Sequence, residues 1–383
     1  MKFVKGRNDL ISESKKFNIP EVIWDINKLF NKNHFKLYIV GGSVRDFLKG
    51  DKPKDFDLCT DALPEDVVRI LTPHYKVQEQ GKAFGVVVVF TKEVPEGMEV
   101  ATFREDNTAG RAPKIKVGGV TLKEDSQRRD LSINAMYYDL GTKKIIDPQG
   151  GQEDLKNGVI RMVGNPSKRI EEDSLRILRT MRFTCRYGST LDKETKLAIL
   201  KNNKLTDISM ERIWDSQNGE FIKGFKQSKD FQQYLDFVTE FKLWGQILPG
   251  LKINPKIKNQ DNLFLVMSQL LKDNDVSVIK KVLTKCAVPN VVILQVMFLI
   301  NLLSFKEENV IAHYKEKVRS LIEDETIKSW FEINNIRDKN ITKFIEFKTS
   351  VNGEDVMKEF NLKPSKELGD KINELEIEKF KSL

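Results

Sequence analysis

The chain has 383 residues, enough for two to four compact units with a substantial core. Lysine and arginine number 64 against 56 aspartates and glutamates, a formal charge of +8, so a polyanionic partner is favoured over a cationic one, although the lysines are spread along the whole chain. Cys59, Cys185 and Cys286 show no Cys-x-x-Cys spacing, and no histidine has a second at helical spacing. This argues against a disulfide framework, a zinc site or histidine–metal chemistry and fits a reducing, cytoplasmic setting.

In chain order, residues 1–10 carry charge of both signs and lack the apolar segment of a secretory leader. Val22, Ile23, Ile26, Leu29 and Phe30 recur at helical spacing behind Pro20, which predicts a helix packed beside the first strand. That strand is Leu37-Tyr38-Ile39-Val40. It stops at Gly41-Gly42, where only backbone separates it from an approaching ligand. Ser43 can offer a hydroxyl, and residues 44–49 read as the first turns of a helix whose N–H groups would face an anion such as a phosphate chain. After a turn, Asp55-Phe56-Asp57-Leu58 alternates polar and apolar residues, so on a strand both carboxylates would point one way.

Two like-facing carboxylates repel, and burying that repulsion is costly unless a cation lies between them. Magnesium suits the site because it takes hard oxygen ligands and shares its coordination between one or two carboxylates, substrate phosphates and water. Either motif alone is better read as an ordinary turn or a solvated strand edge. Their succession, strand to turn to helix to strand, reverses those odds.

The run Gly41-Gly42-Ser43-Val44-Arg45-Asp46 followed by Asp55-Phe56-Asp57 resembles the head of the polymerase-β-like nucleotidyltransferases, most closely the class II tRNA nucleotidyltransferases, the CCA-adding enzymes. The resemblance implies that Gly41, Gly42, Ser43 and Arg45 cradle the phosphates of a nucleoside triphosphate and that Asp55 and Asp57 bind catalytic metal. Further along, a helix is expected over 67–71 and strands over 76–80, 85–90 and 98–104. Glu99 resembles a third carboxylate beside the metal site, or is a solvated strand residue. Arg104, at a strand end, carries a fork suited to phosphate oxygens and is expected near the triphosphate. Residues 104–119 are polar and glycine-rich without clear period, the place of a flexible loop needed for the final adenosine in the resembled family.

Arg128-Arg129-Asp130 with Asn134-Ala135 matches another family motif. Arg129, Asp130 and Asn134 combine a cation, an acceptor and an amide, suited to phosphate and ribose; a helix start capped by Asp130 is compatible with this. Tyr137-Tyr138 and Ile145-Ile146 read as a last strand pair, and Asp147-Pro148-Gln149-Gly150-Gly151 as a turn, a structural hinge by resemblance. In residues 165–183, Ile170, Leu175, Leu178 and Met181 form an apolar seam, with Asp173, Arg176 and Arg179 at steps of three on another face of one helix. Such pairs are most often solvated ion pairs. By resemblance, Asp173 and Arg176 read the base: cytosine and adenine present a donor beside an acceptor, guanine and uracil the reverse, so the wrong base would leave polar groups unpaired. Ser209 is a candidate cap before a long helix, and residues 291–303, interrupted by Gln295 and Asn301, read as a buried helix too short to span a membrane.

The expected architecture is α+β: a nucleotidyltransferase head with a mixed sheet over 1–147, then an all-helical neck (148–215, base selection), body (216–290) and tail (291–383, tRNA binding). The expected activity is addition of C, C and A to the tRNA 3′ end from CTP and ATP with Mg2+, with no membrane and no obligate protein partner. A bacterial-type poly(A) polymerase or A-adding enzyme shares nearly all the motifs, although residues 80–86 look more like the tRNA enzyme's version. A non-catalytic RNA-binding module is the alternative of another class, against which the intact aspartate pair speaks.

Overall fold

The computed structural model describes residues 17–79, 81, 84–106, 115–337 and 339–383. Residues 1–10, residues 107–114 of the expected loop, and Gln80, Lys82 and Ala83 of the segment that looks more like the tRNA enzyme's version lie outside these. The chain divides into two compact units, Met1–Asp207 and Ile208–Leu383. The expected neck therefore straddles the division, with residues 208–215 in the second unit.

The first unit holds a seven-stranded mixed sheet. Its strands are β1 (Leu37–Val40), β2 (Asp57–Thr60), β3 (Lys76–Gln78), β4 (Val86–Phe90), β5 (Met98–Thr102), β8 (Tyr137–Asp139) and β9 (Lys144–Ile146), in the order β3-β4-β5-β2-β1-β8-β9. β2 and β5 are parallel, and the other pairs are antiparallel. Because alternate side chains leave opposite faces, Leu37, Ile39, Leu58 and Val100 enter one core with Val22, Ile23, Ile26 and Phe30 of α1 (Glu21–Lys32) and Val67, Ile70 and Leu71 of α3 (Pro64–Leu71). Each such side chain contributes about 1.5–3 kcal/mol by leaving water. Tyr38, Val40, Cys59 and Tyr137 project to the other face, where Phe103 and Val120 cover them. That second face carries the candidate site.

Three local structures depart from expectation. Residues 104–119 are not wholly irregular: β6 (Arg104–Asp106) and β7 (Ile115–Val117) pair antiparallel, Arg104 opposite Val117. The helix expected through 170–183 is two, α6 (Pro166–Glu172) and α7 (Leu175–Tyr187), because Asp173 is extended (φ −152°, ψ 102°) and its carboxylate accepts the Leu175 N–H at 3.1 Å. Ser174 is held in the break by its hydroxyl, which donates to the Thr206 carbonyl at 2.9 Å. The helix after Ser209 is only five residues, Met210–Trp214, and the Ser209 hydroxyl does not cap it.

The 147–155 turn is structural. The Asp147 carboxylate accepts the N–H groups of Gly151 and Gln152, both at 2.8 Å, and a Cβ on Gly151 would lie 2.2 Å from the Ser132 carbonyl oxygen. Ser132 also donates its hydroxyl to the buried Asp154 at 2.6 Å, which seats α5 (Gly151–Asn157) on residues 132–134. The described residues of the second unit form helices and no strand. Its core includes Phe298, Leu299, Leu302, Trp330, Phe344 and Phe380, with Asn290–Leu302 the buried helix expected there. No helix among the described residues is long and apolar enough to cross a membrane.

Candidate active site

The Gly-Gly turn lies directly beside the aspartate strand. In the β1–β2 register Val40 pairs with Asp57, and Gly41 is the next residue. Gly41 adopts φ 74° and ψ −123°, a conformation open to glycine and strained for any L side chain, and it opens α2 (Gly42–Lys49). A Cβ there would meet the Asn134 carbonyl at 3.7 Å and Arg129 Nη1 at 3.9 Å. Gly42 has no such backbone demand; a methyl group would lie 3.5 Å from Arg45 Nη2. The first N–H groups of α2 thus emerge at the end of β1 beside Asp57, where orphan helix donors favour an anion.

Asp57 heads β2, and Asp55 lies two residues before it, ahead of the strand and not within it. Both are exposed. The parallel register of Leu58 with Val100 brings Glu99 beside Asp57 one step earlier. Surrounding protein, then the charge of Glu99 and lastly that of Asp55, push the Asp57 carboxyl above its ordinary pKa, while Arg129 pulls the other way. Acids are thus crowded beside one another with Arg129 as the nearby cation. An all-oxygen set of this kind fits a hard divalent ion. No group of three or more His, Cys, Asp or Glu among the described residues is gathered closely enough to hold a metal, so the remaining ligands would come from phosphate and water.

Several residues expected to face substrate are committed elsewhere. Ser43 is buried, and its hydroxyl donates to the Asp55 carbonyl at 3.0 Å, so it fixes the aspartate backbone to the start of α2. Arg45, expected to cradle phosphate, is 4% exposed: it pairs with Asp46 at 2.9 Å, donates to the Asn134 side chain, and lies over the rings of Phe183 and Tyr187 at 5.2 and 5.5 Å. Asn134 in turn donates to Asp130 at 3.2 Å. Asp130 also accepts two bonds from Arg179, at 2.8 and 2.6 Å. Burial alone would raise the Asp130 carboxyl, but the charge and hydrogen bonds of Arg179 and the amide of Asn134 carry it well below the usual range. Arg45, Asn134, Asp130 and Arg179 therefore form one continuous chain of charge and hydrogen bonds from α2 to α7.

Arg176 is likewise engaged. It donates to Glu172 at 2.7 Å and to the carbonyls of Arg169 and Arg128 at 3.1 and 2.9 Å, so its acidic partner is Glu172. With the break in the helix, Asp173 does not share a helical face with Arg176 and Arg179. Arg104 donates from Nη1 to the Phe84 carbonyl at 2.6 Å.

Asp125 was not anticipated. It sits on α4 (Leu122–Gln127), whose start carries a reciprocal cap between Thr121 and Glu124. Its side chain is buried and accepts from the Arg104 main chain at 3.2 Å, Arg128 Nε at 2.9 Å, Arg129 Nη2 at 3.1 Å and the Tyr137 hydroxyl at 2.7 Å. Burial would raise its carboxyl; Arg129 and Arg128 outweigh that and hold it below normal. Arg129, lying over the Tyr137 ring at 5.2 Å, is thereby fixed between the Gly41 turn and Asp57. The signal in the sequence is an acid three and four residues ahead of two arginines on a helix.

A family model described as the Poly A polymerase head domain matches residues 37–161. Poly(A) polymerase I of Escherichia coli O6:H1 is 34% identical over 262 residues, 64% of this chain and 53% of that protein, so the chain spans about half the length of such curated relatives. The CCA-adding enzyme of Ligilactobacillus salivarius is 30% identical over 370 residues, which is 90% of this chain and 88% of that enzyme. Among solved structures, the Bacillus stearothermophilus CCA-adding enzyme in complex with CTP aligns with a TM-score of 0.68 at 25% identity, over 93% of this chain and 91% of that one. Near-complete coverage by a relative of this identity, added to the turn and aspartate geometry, shows that the chain belongs to the CCA-adding enzymes, class II nucleotidyltransferases of the polymerase-β-like superfamily.

Proposed function

We propose that this protein adds C, C and A to the 3′ end of tRNA, taking CTP and ATP as substrates and Mg2+ as its divalent ion. The observation that carries this reading is the adjacency of Asp57 to the Gly41 turn, which sets an anion-favouring helix start beside a carboxylate crowded by Glu99 and Asp55. Asp55 and Asp57 hold the metal, with Glu99 alongside. Magnesium bound there would supply Lewis acidity at the reacting phosphate and lower the pKa of the attacking hydroxyl.

The chain's own residues orient the reactants. The N–H groups following Gly41 and Gly42 bind the β- and γ-phosphates, and Arg129, anchored by Asp125, adds positive charge on the Gly41 side. The terminal ribose hydroxyl of the RNA attacks the α-phosphorus, the new phosphodiester forms, the α–β bridging bond breaks and pyrophosphate leaves. Base selection falls to Asp173 at the α6–α7 break and to Arg176, which would exchange Glu172 and the Arg128 carbonyl for the base edge. The head (1–147) does the chemistry and the neck (148–215) the selection; the lysine-rich body (216–290) and tail (291–383) grip folded RNA through its phosphates.

Poly(A) synthesis is the second reading, favoured by the match to the Escherichia coli enzyme. Purified protein incubated with tRNA lacking its last three nucleotides and each labelled triphosphate separates the two. Incorporation of C, C and one A followed by a stop is expected; a long A tract overturns the proposal.

A further inference from the structure

The ring of Tyr187, at the end of α7, is faced by three cations. Lys49 Nζ lies 4.4 Å from its centroid, Arg186 Cζ 5.2 Å and Arg45 Cζ 5.5 Å. Arg45 is neutralised by Asp46, which also accepts from the Tyr187 hydroxyl at 3.4 Å. Lys49 and Arg186 are different: among the described residues neither has a carboxylate within ion-pair distance, and each has only the ring. Lys49 is exposed and Arg186 half-buried, so both can meet a ligand. The other arginines of α7 are engaged in the fold: Arg176 pairs with Glu172, Arg179 with Asp130, and Arg182 is buried over Phe183 at 4.3 Å.

Two cations on one ring stand within about a Debye length, ~10 Å at 0.1 M salt, so they repel and raise the local potential unless an anion is shared between them. A cation pair around an aromatic face is the combination that suits single-stranded nucleic acid, with phosphate on the charges and a base or ribose against the ring. Lys49 follows Gly42 by seven residues, about 10 Å along α2, so this place is separate from the turn proposed for the triphosphate. We propose that Lys49 and Arg186, arranged around Tyr187, hold a backbone phosphate of the RNA strand leading to the reacting 3′ end. This rests on the reading of the protein as an RNA-extending enzyme and assigns part of the strand a place on α2 and α7.

The test is the salt dependence of binding, by fluorescence anisotropy, of labelled tRNA lacking its CCA end to the wild-type protein and to the Lys49→Gln, Arg186→Gln double variant. Every RNA phosphate that a protein cation neutralises adds about 0.7–0.9 to the steepness of log affinity against log salt. The double variant is expected to be shallower by about one such step and to bind several-fold more weakly at low salt. Its KM for CTP should stay unchanged, and the charge-keeping Lys49→Arg, Arg186→Lys variant should keep the wild-type slope. Each single glutamine substitution should carry about half the effect, which covers a double variant that fails to fold. Wild-type binding with an unchanged slope in all glutamine variants overturns this inference alone. Wild-type protein that binds no RNA overturns the functional reading with it.

Discussion

Replacing Asp57 with asparagine is expected to abolish nucleotide addition while leaving the protein at least as stable as before. The two effects have one cause. Asp57 carries its charge in a place that disfavours it: although its side chain reaches solvent, the protein packed around it, then Glu99 and Asp55, raise its pKa in the folded state. An acid whose folded pKa lies above its unfolded value costs stability when ionised, so the neutral amide relieves a repulsion at neutral pH. The effect on function is larger. A carboxylate that positions a divalent ion at a developing phosphoryl charge contributes several kcal/mol to the transition state, and each 1.36 kcal/mol is a factor of ten. The expected outcome is a fall of at least about 10³-fold in the rate of CMP addition, with a melting temperature equal to or above that of the wild type. A variant that stays active, or one that is inactive because it unfolds, contradicts this assignment.

Asp125→Asn should do the opposite, removing stability first and activity through it. The carboxylate compensates Arg128 and Arg129 in a buried place and accepts the Tyr137 hydroxyl. An amide keeps the shape and one acceptor but leaves two guanidinium groups without their counter-charge. Breaking a buried pair in this way costs about 3–5 kcal/mol, which for a unit of this size lowers the melting temperature by roughly 6–20 °C. The sign of the pH dependence follows. Burial raises the carboxyl, but Arg129 and Arg128 win and depress it, so its contribution is complete above the unfolded value near ~4 and fades as pH falls toward the folded value. Thermal melts from pH 7 down to 3 should show the gap between wild type and variant closing as pH falls. A gap constant with pH would mean that shape, not charge, is what Asp125 provides.

The elements legible in the sequence are those whose signals are local. Leu37-Tyr38-Ile39-Val40 stops at a glycine pair, Tyr137-Tyr138 and Ile145-Ile146 flank a turn, and Asn290–Leu302 is apolar but for Asn290, Gln295 and Asn301 behind Pro289. The neighbouring positions of Asp57 and the Gly41 turn were equally readable, since strand, turn and strand fix them by short connections. Positions decided by distant partners were not. The break at Asp173 has no proline or glycine to mark it; it is held by the Ser174 hydroxyl on the Thr206 carbonyl, 32 residues away. Arg45 reads as a phosphate ligand because it follows the glycines, yet it is buried beside Gly42 and engaged by Asp46, Asn134 and the rings of Phe183 and Tyr187. Glu172 rather than Asp173 captures Arg176 because the helix ends between the two acids. Asp125 owes its role to Tyr137 and the Arg104 main chain, neither of which its helix reveals.

The central claim is that the Gly41 turn and the Asp55–Asp57 pair together seat a metal-bound triphosphate. A crystal structure of the protein grown with CTP and a divalent cation tests it most directly. The expected result places the triphosphate against the first N–H groups of α2 and an ion bridging it to Asp55 and Asp57. A triphosphate seated away from that turn, or bound there with no ion at the two aspartates, would contradict the account.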